Sequence, residues 1–561
     1  MNTSPTRMRC TATPAIARSS VLSIFATGIL TLHVASARPE EPLVKRPPKQ
    51  NLIVNLAADA LVVCTPFGSI SDLSGEVDTP AGKWEQWARF DGKIEDLSRE
   101  EILEGYRKQI DRYAGTQVSH VFLNTNYQRA CYPSDAWDSY WDIEDPQTNL
   151  TGWQRGAWQI HKKGIDLYAV CIKLCRARGI SPWVSMRMND THYVNDPYKA
   201  NSFWKEHPEY RCRQGLNFAI PEVRRHHLNL VEELLARYDI DGIELDWMRF
   251  PDHHIYPGAG STHLNEMMRE VRQVADKASK RRGREIQVAT RIPTLPDVAT
   301  RLGMDGVNWV KEGWADMLIL SPVWRPSDTD IPIKEWRKRI GEVDRPYRLV
   351  AATDLWLHSS AGGKLMLNTP ETARGFAATH LDRGADQIYL FNHFNNALTN
   401  AAIVRQAGTL ESAVGGPRRH ILSFHHGGPK PPLPAVIRSN SEGVFHLPIG
   451  PKPEKGHAVV RIGLEDRPDL AVVELECRVN DTSCQSVEDL SSKGAPSPGP
   501  FHSFVLRTNP GCVGHPADVA PRVLQFEIPL HAMNRDMNNV SLAVKQGGEQ
   551  EIGWIEIYIE P

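Results

Sequence analysis

The 561-residue sequence lacks a strong charge, a membrane-length apolar run, an internal repeat and a paired-histidine motif, and each lack removes a class of protein. A formal net charge of −2 gives no long-range field to draw nucleic acid or an anionic membrane surface, so neither is expected as a partner. The apolar run from Val21 to Leu32 is shorter than the roughly 20 residues that span a bilayer. No 20-to-50-residue period is present, which excludes solenoids and propellers. Cys171 and Cys175 lie one helical turn apart with no second cysteine pair or histidine cluster, and read as packed helix residues. His253 and His254 are adjacent in a loop, not spaced as HxH on a strand. No metal and no cofactor is therefore expected.

What is present describes an exported globular protein. Arg7, Arg9 and Arg18 precede the apolar run, and Ala35-Ser36-Ala37 offers small residues at a cleavage site. Residues 1–37 are read as a signal peptide, so the mature protein is expected to be secreted or periplasmic. The length exceeds what one core usually organises, and two folded domains are expected.

From Asn51 onward, β-branched apolar runs alternate with amphipathic helical stretches, the pattern of parallel strands joined by crossover helices. Eight strands are read: LIVNLAADALVV from Leu52, VSHVFLN from Val118, SPWVSMR from Ser181, DGIELDW from Asp241, IQVATR from Ile286, DMLILS from Asp316, YRLVAAT from Tyr347 and DQIYLFN from Asp386. Helices include those from Arg99, Lys162 and Pro221, the last with an apolar stripe at Leu228, Val231, Leu234 and Leu235. The units predict an α/β fold, a (β/α)₈ TIM barrel over residues 51–414. The loop from Asn124 to Trp158 is dense in aromatics and reads either as a substrate lid or as an aromatic mini-core. A Gly/Pro/His-rich linker is read at 415–434, then a jelly-roll-like antiparallel β-sandwich at 435–561, from HAVVRIGL, AVVELECRVN, SFVLRT, VLQFEIPL, NVSLAVK and GWIEIYIE. One disulfide among Cys477, Cys484 and Cys512 is plausible by proximity.

Functional groups of such a barrel sit at the C-terminal strand ends. In DGIELDWMRFP, Glu244 and Asp246 share one strand face and Ile243, Leu245 and Trp247 the other, which puts both carboxylates in the lumen. Buried charges of like sign cost several kcal/mol unless compensated, so a use is expected. Asp246, nearer the open end, is assigned to attack or stabilise an oxocarbenium-like centre, with Glu244 catalytic or supporting one layer deeper. An ion pair with Arg249, Arg187 or Arg291 is the competing reading. Asp354 is the first candidate proton donor, followed by Asp190 and Asp305. Substrate-binding candidates at other strand ends are Asn124, Asn126, Arg187, Asn189, His192, Arg249, Arg291, Trp324, Arg325 and Asn392. The arginines suggest an acidic glycan bearing uronate or sulfate.

The segment DGIELDWMRFP resembles the G-[IL]-x-[LF]-D-[YW]-x-R-[YF]-P signature of family-10-like glycosyl-hydrolase barrels of bacteria, and SPWVSMRMNDTH resembles the strand preceding it. The match covers Gly242, Ile243, Leu245, Asp246, Trp247, Arg249, Phe250 and Pro251, with Glu244 a departure where such proteins often carry histidine or another polar residue. The resemblance implies glycosidase chemistry on a carbohydrate substrate. Two rivals remain: a non-catalytic glycan-binding barrel, and a metal-dependent hydrolase or deacetylase using Asp246, Glu244, Asp190 and His192.

The leader generates a first prediction. Mass spectrometry of protein recovered from its native host is expected to place the N-terminus at or close to Arg38, and a chain retaining Met1 to Ala37 overturns export.

Overall fold

Eight β-branched segments pair in parallel, each with its sequence neighbour and the last with the first, and close a barrel. They are β1 (Leu52–Leu56), β2 (Val118–Asn124), β3 (Ser181–Arg187), β4 (Gly242–Asp246), β5 (Gln287–Pro293), β6 (Met317–Ser321), β7 (Arg348–Thr353) and β8 (Gln387–Leu390). The computed structural model describes residues 51–63, 65, 76–79, 82–85, 93–254, 260–322, 327–354, 356–360, 366–392, 400–425, 427–490 and 520–561. The segment 1–37 read as a signal peptide, the SFVLRT run and Cys512 lie outside them. Among the described residues no helix is long and apolar enough to cross a membrane.

Alternation along the strands stacks the lumen in layers. At the floor, Arg348 donates to Gln387 Oε1 at 3.1 Å and to Gln287, and faces His120 Nε2 at 3.3 Å. Above it the Phe122 and Trp183 rings stack with centroids 4.7 Å apart, edge-on to Tyr389 and among Ile53, Met317, Ile319 and Val350. Trp183 stands opposite Gly242 in register, and a Cβ on Gly242 would overlap its indole. The lumen is filled to this height, so only the C-terminal end is left for chemistry.

Outside, Ser98 and Glu101 form a capping box on the helix Arg99–Asp111. The helix Pro221–Arg237 buries Leu228, Val231, Leu234 and Leu235, the stripe its spacing predicts. Two expectations shift. The first strand stops at Leu56 and the Ala-rich continuation forms a helix, Ala58–Val63, as its alanines and leucine favour. The helix expected from Lys162 starts instead at Leu167, capped by Asp166, because Gly164 at φ 70° turns the chain after the preceding helix Gly152–Lys162. Of the two readings of the aromatic loop the mini-core holds: Tyr127, Tyr132, Trp137, Tyr140 and Trp153 are buried and join the main core.

Among the described residues nine antiparallel strands follow: β9 (Arg418–Ile421), β10 (Ala435–Ile437), β11 (Glu442–Pro448), β12 (His457–Leu464), β13 (Glu474–Val479), β14 (Thr482–Asp489), β15 (Arg522–Glu527), β16 (Met537–Gln546) and β17 (Gln550–Glu560). Their order is β9-β17-β12-β15-β14-β13-β16-β11, with β10 also on β17, around a separate apolar core that includes Val460, Ile462, Leu542 and Ile555. β9 lies within the stretch read as linker. Its RRHI sequence looks solvent-facing, yet Arg419 is buried because Glu556 on β17 neutralises it at 2.6 Å. Arg461 at 2.9 Å and the Trp554 indole N–H at 3.0 Å complete the Glu556 site. β9 backs directly onto the helix Pro370–Asp382 between β7 and β8, where a Cβ at Gly375 would collide with the Arg419 carbonyl. Cys477 and Cys484 face each other on β13 and β14 as free thiols. Cys171 and Cys175 are buried free thiols on one helix, and burial pushes Cys175 up to about 12.

The Trp183–Gly242 contact makes a second prediction. Gly242→Ala is expected to destabilise the protein by roughly 1–3 kcal/mol through overpacking, and much less in a Trp183→Leu background. Denaturation midpoints of the four proteins decide it; additive effects would show that the indole is not the obstacle.

Candidate active site

Parallel register sets the composition of the top layer. Asp246 on β4 lies across from Arg187 on β3 and from Arg291 on β5, and one layer down Glu244 lies between Ser185 and Ala289. Ile243 and Leu245 are buried on the opposite face against the helices, which turns both carboxylates inward.

Asp246 Oδ1 accepts from Arg291 Nη1 at 2.7 Å and from the Met248 N–H at 3.0 Å. Arg291 is held in turn by Ser321 Oγ at 2.9 Å and lies 3.6 Å from the Phe391 ring centre, over which Arg249 also sits at 4.5 Å. Arg249 donates to Asn392 Oδ1 at 2.9 Å, while its Nε is 3.9 Å from Asp246 Oδ2 and makes no hydrogen bond. Burial and then the nearby Arg187 push the Arg249 pKa down, to about 10. Three guanidinium groups thus crowd one carboxylate at the open end of β4.

Arg187 donates to Asp190 Oδ2 at 2.9 Å and lies 3.8 Å from the Tyr127 ring centre. Asp190 Oδ1 accepts from both the N–H and Nδ1 of His192 at 2.8 Å. Burial opposes its ionisation, but the His192 bonds and Arg187 prevail and hold Asp190 well below the usual carboxylate range. Asp190 is therefore an ionised anchor and not a proton donor. Asp305 is a helix cap, accepting from the Asn308 N–H at 3.2 Å at the head of Gly306–Lys311.

Glu244 is fully buried and accepts from the Tyr389 hydroxyl at 2.8 Å. Burial first, and Asp246 second, raise its pKa above the ordinary range; Ser185, Arg291 and Tyr389 pull only partly against them. Asp354 is buried directly after β7, with its main-chain N–H on Ser327 Oγ at 3.1 Å and its carbonyl accepting from Asn368 at 2.9 Å.

The asparagines expected to bind sugar bond mostly to main chain here, with Asn124 Oδ1 left without a partner. Asn124 donates to the carbonyls of Asn126 and Ser185, Asn126 exchanges bonds with Arg187, and Asn189 ties Leu216 to Asp252 and His253. Loop backbone leaving the strands needs such partners, and short amides supply them. Asn392, by contrast, joins Arg249 in the site. Trp324 and Arg325 lie outside the described residues. Tyr389, Phe391 and Ser321 were missed, while Tyr127 belongs to the aromatic loop; strand alternation along DQIYLFN is the signal that places Gln387, Tyr389 and Phe391 on one inward face. The set weighed for a metal does not converge: Asp190 and His192 bond each other, Asp246 is engaged by Arg291, and among the described residues no cluster of three or more His, Cys, Asp or Glu suits an ion.

No protein-family model matches the chain, and no curated protein matches it. Solved structures similar to it include α-L-fucosidase isoenzyme 1 from Paenibacillus thiaminolyticus, 11% identical over 89% of this chain and 97% of that one, TM-score 0.33. A GH29 α-L-fucosidase from Bacteroides thetaiotaomicron is 10% identical over 89% and 94%, TM-score 0.35. A GH138 enzyme targeting pectin rhamnogalacturonan II is 10% identical over 61% and 42%, TM-score 0.34. At these scores no residue-level correspondence follows, and the comparisons do not show the family-10-like resemblance.

The Glu244 environment yields a third prediction. A carboxyl whose folded pKa lies above its unfolded value contributes stability below the unfolded pKa and loses it as pH rises toward the folded one, by up to about 1.4 kcal/mol per pH unit. Glu244→Gln mimics the protonated form, so its melting temperature relative to wild type is expected to climb as pH is raised from about 4 through neutrality. A pH-independent difference would mean that folding leaves the Glu244 pKa unshifted.

Proposed function

We propose that the protein is an exported glycoside hydrolase that cleaves an acidic glycan, bearing uronate or sulfate groups, at the C-terminal mouth of its barrel. The observation that carries this reading is the register row of Arg187, Asp246 and Arg291, an inward carboxylate at the open end of β4 with a cation on each side. Such a carboxylate is arranged to meet an electron-poor anomeric carbon. In this reading Asp246 attacks or stabilises that carbon, and Glu244, protonated and fixed by Tyr389, positions it from the layer below. Asp354 is the proton donor: it ends a buried strand, while Asp190 is held ionised and Asp305 is used as a cap.

The acidic substrate is argued from Arg249. Its guanidinium stands among Arg187, Arg291 and the carboxylates of Asp246 and Asp190, with Nε unbonded and its charge disfavoured by burial. An incoming carboxylate or sulfate relieves that, and guanidinium geometry suits both. Arg187, His192, Arg249 and Asn392, with Trp324 and Arg325 from the sixth strand's end, form the binding set, and no cofactor is needed. One observation favours a second reading, a non-catalytic glycan-binding barrel: the 2.7 Å pair with Arg291 already gives Asp246 a structural use.

The test is a screen of purified protein against charged polysaccharides and their desulfated or carboxyl-reduced forms, with product detection. Release of reducing ends from the charged forms is expected, falling by at least about a thousandfold in Asp246→Asn, whose amide oxygen still accepts from Arg291 and Met248. Turnover should also fall as salt rises from about 0.1 to 1 M, where the screening length shrinks from about 10 to 3 Å. Activity within about threefold of wild type removes Asp246 from the reaction. Binding without turnover selects the second reading, and equal turnover of charged and neutral polymer removes the acidic substrate.

A further inference from the structure

Nine described residues other than glycine have φ in the left-handed region, and all but two are Asn or Asp, whose short side chains tolerate it. The two exceptions are Tyr193 at φ 67° and Phe250 at φ 53°. They lie in the loops that follow barrel strands β3 and β4. Both touch His192: Phe250 edge-on at 5.0 Å between ring centres, Tyr193 tilted at 6.1 Å. Backbone strain at a bulky residue persists only where something over-determines it, and such sites cluster at ligand positions.

Packing accounts for Phe250, which is half-buried, but not for Tyr193, which is 38% exposed. The turn that Tyr193 opens needs only its carbonyl, which accepts from the Asp196 N–H at 2.9 Å, so Asn or Gly would serve the backbone better. Its ring lies 6.2 Å from that of Tyr127, the ring that carries Arg187, and so continues the site outward from Asp246. The Lys199 ammonium approaches it at 5.2 Å while paired with Asp196 at 2.9 Å. An aromatic face held at a strained position, open to solvent and contiguous with a polar site, has the form of a platform for the C–H face of a sugar ring.

We infer that Tyr193 is the stacking platform of an outer subsite that holds a pyranose unit next to the reacting one. The inference rests on the glycan reading above and adds a specificity-determining residue to it. The residue acts by binding and takes no part in bond cleavage.

Affinity gel electrophoresis of the full chain through polygalacturonate, dextran sulfate and xylan tests it, in the Asp246→Asn background so that no polymer is cut. Tyr193→Phe is expected to keep the dissociation constant within about threefold, and Tyr193→Asn to raise it at least about tenfold while its melting temperature stays equal or rises as the strain is relieved. Unchanged binding by Tyr193→Asn removes the platform and leaves the glycan reading standing. Loss of binding together with a lower melting temperature makes the ring a structural brace and also overturns the inference. If none of the three polymers retards the parent protein, the glycan reading fails and the platform with it.

Discussion

A carboxylate buried at the top of a barrel needs cations within its own layer, and Asp246 acquires them by strand register. Hydrogen bonding between β3, β4 and β5 fixes which residues stand side by side, and here that row reads Arg, Asp, Arg. Desolvating the three charges separately would cost several kcal/mol each; together they largely offset one another. The arginines then impose demands of their own. Arg291 and Arg249 require the Phe391 ring at the end of the eighth strand, and Arg187 requires Asp190 beneath His192 and the face of Tyr127. Much of the mouth is built outward from one ion pair.

The same strand shows how depth sorts chemistry. Glu244 and Asp246 are two residues apart on one face, yet only Asp246 has a guanidinium at hydrogen-bond distance, and Glu244 instead receives a neutral hydroxyl from Tyr389. A charged partner favours the anion; burial beside another carboxylate favours the acid. Burial beside another carboxylate thus suits Glu244 to holding a proton, while Asp246 is the carboxylate set against Arg291.

Strands were legible because their signal is local. VSHVFLN and SPWVSMR coincide with β2 and β3 end to end, since β-branched content and alternation stop where the loops begin. The overshoot of β1 has a local cause too: alanines after Leu56 are compatible with either state, and barrel pairing ends at Leu56. What sequence could not show was where side-chain bonds go. Asn126 and Asn189 look identical to ligand-binding amides until their partners prove to be backbone, and Arg419 looks like surface until Glu556 lies beside it. Asp246 and the arginines were legible because strand alternation fixes their direction. Asp190 was not, because it sits on a loop whose path decides whether it is acid or anchor.

The sandwich bears on the site through the same logic of forced neighbours. Gly375 lets the helix Pro370–Asp382 approach the β9 backbone, and Gly450 lets the loop after β11 approach it at Ala378. Arg383, just past that helix, reaches Asp536 in the sandwich at 2.7 Å, and Arg535 reaches back to Asp382 at 3.0 Å. This helix is the crossover between β7 and β8, which deliver Asp354, Tyr389 and Phe391 to the lumen. Any rotation of it would move the hydroxyl on Glu244 and the ring beneath Arg249 and Arg291 together. The ion pairs Arg383–Asp536 and Arg535–Asp382 oppose such rotation, because they join the end of this helix to the sandwich. The sandwich thus braces the crossover that leads into β8, without contributing a side chain to the layer where Asp246 lies.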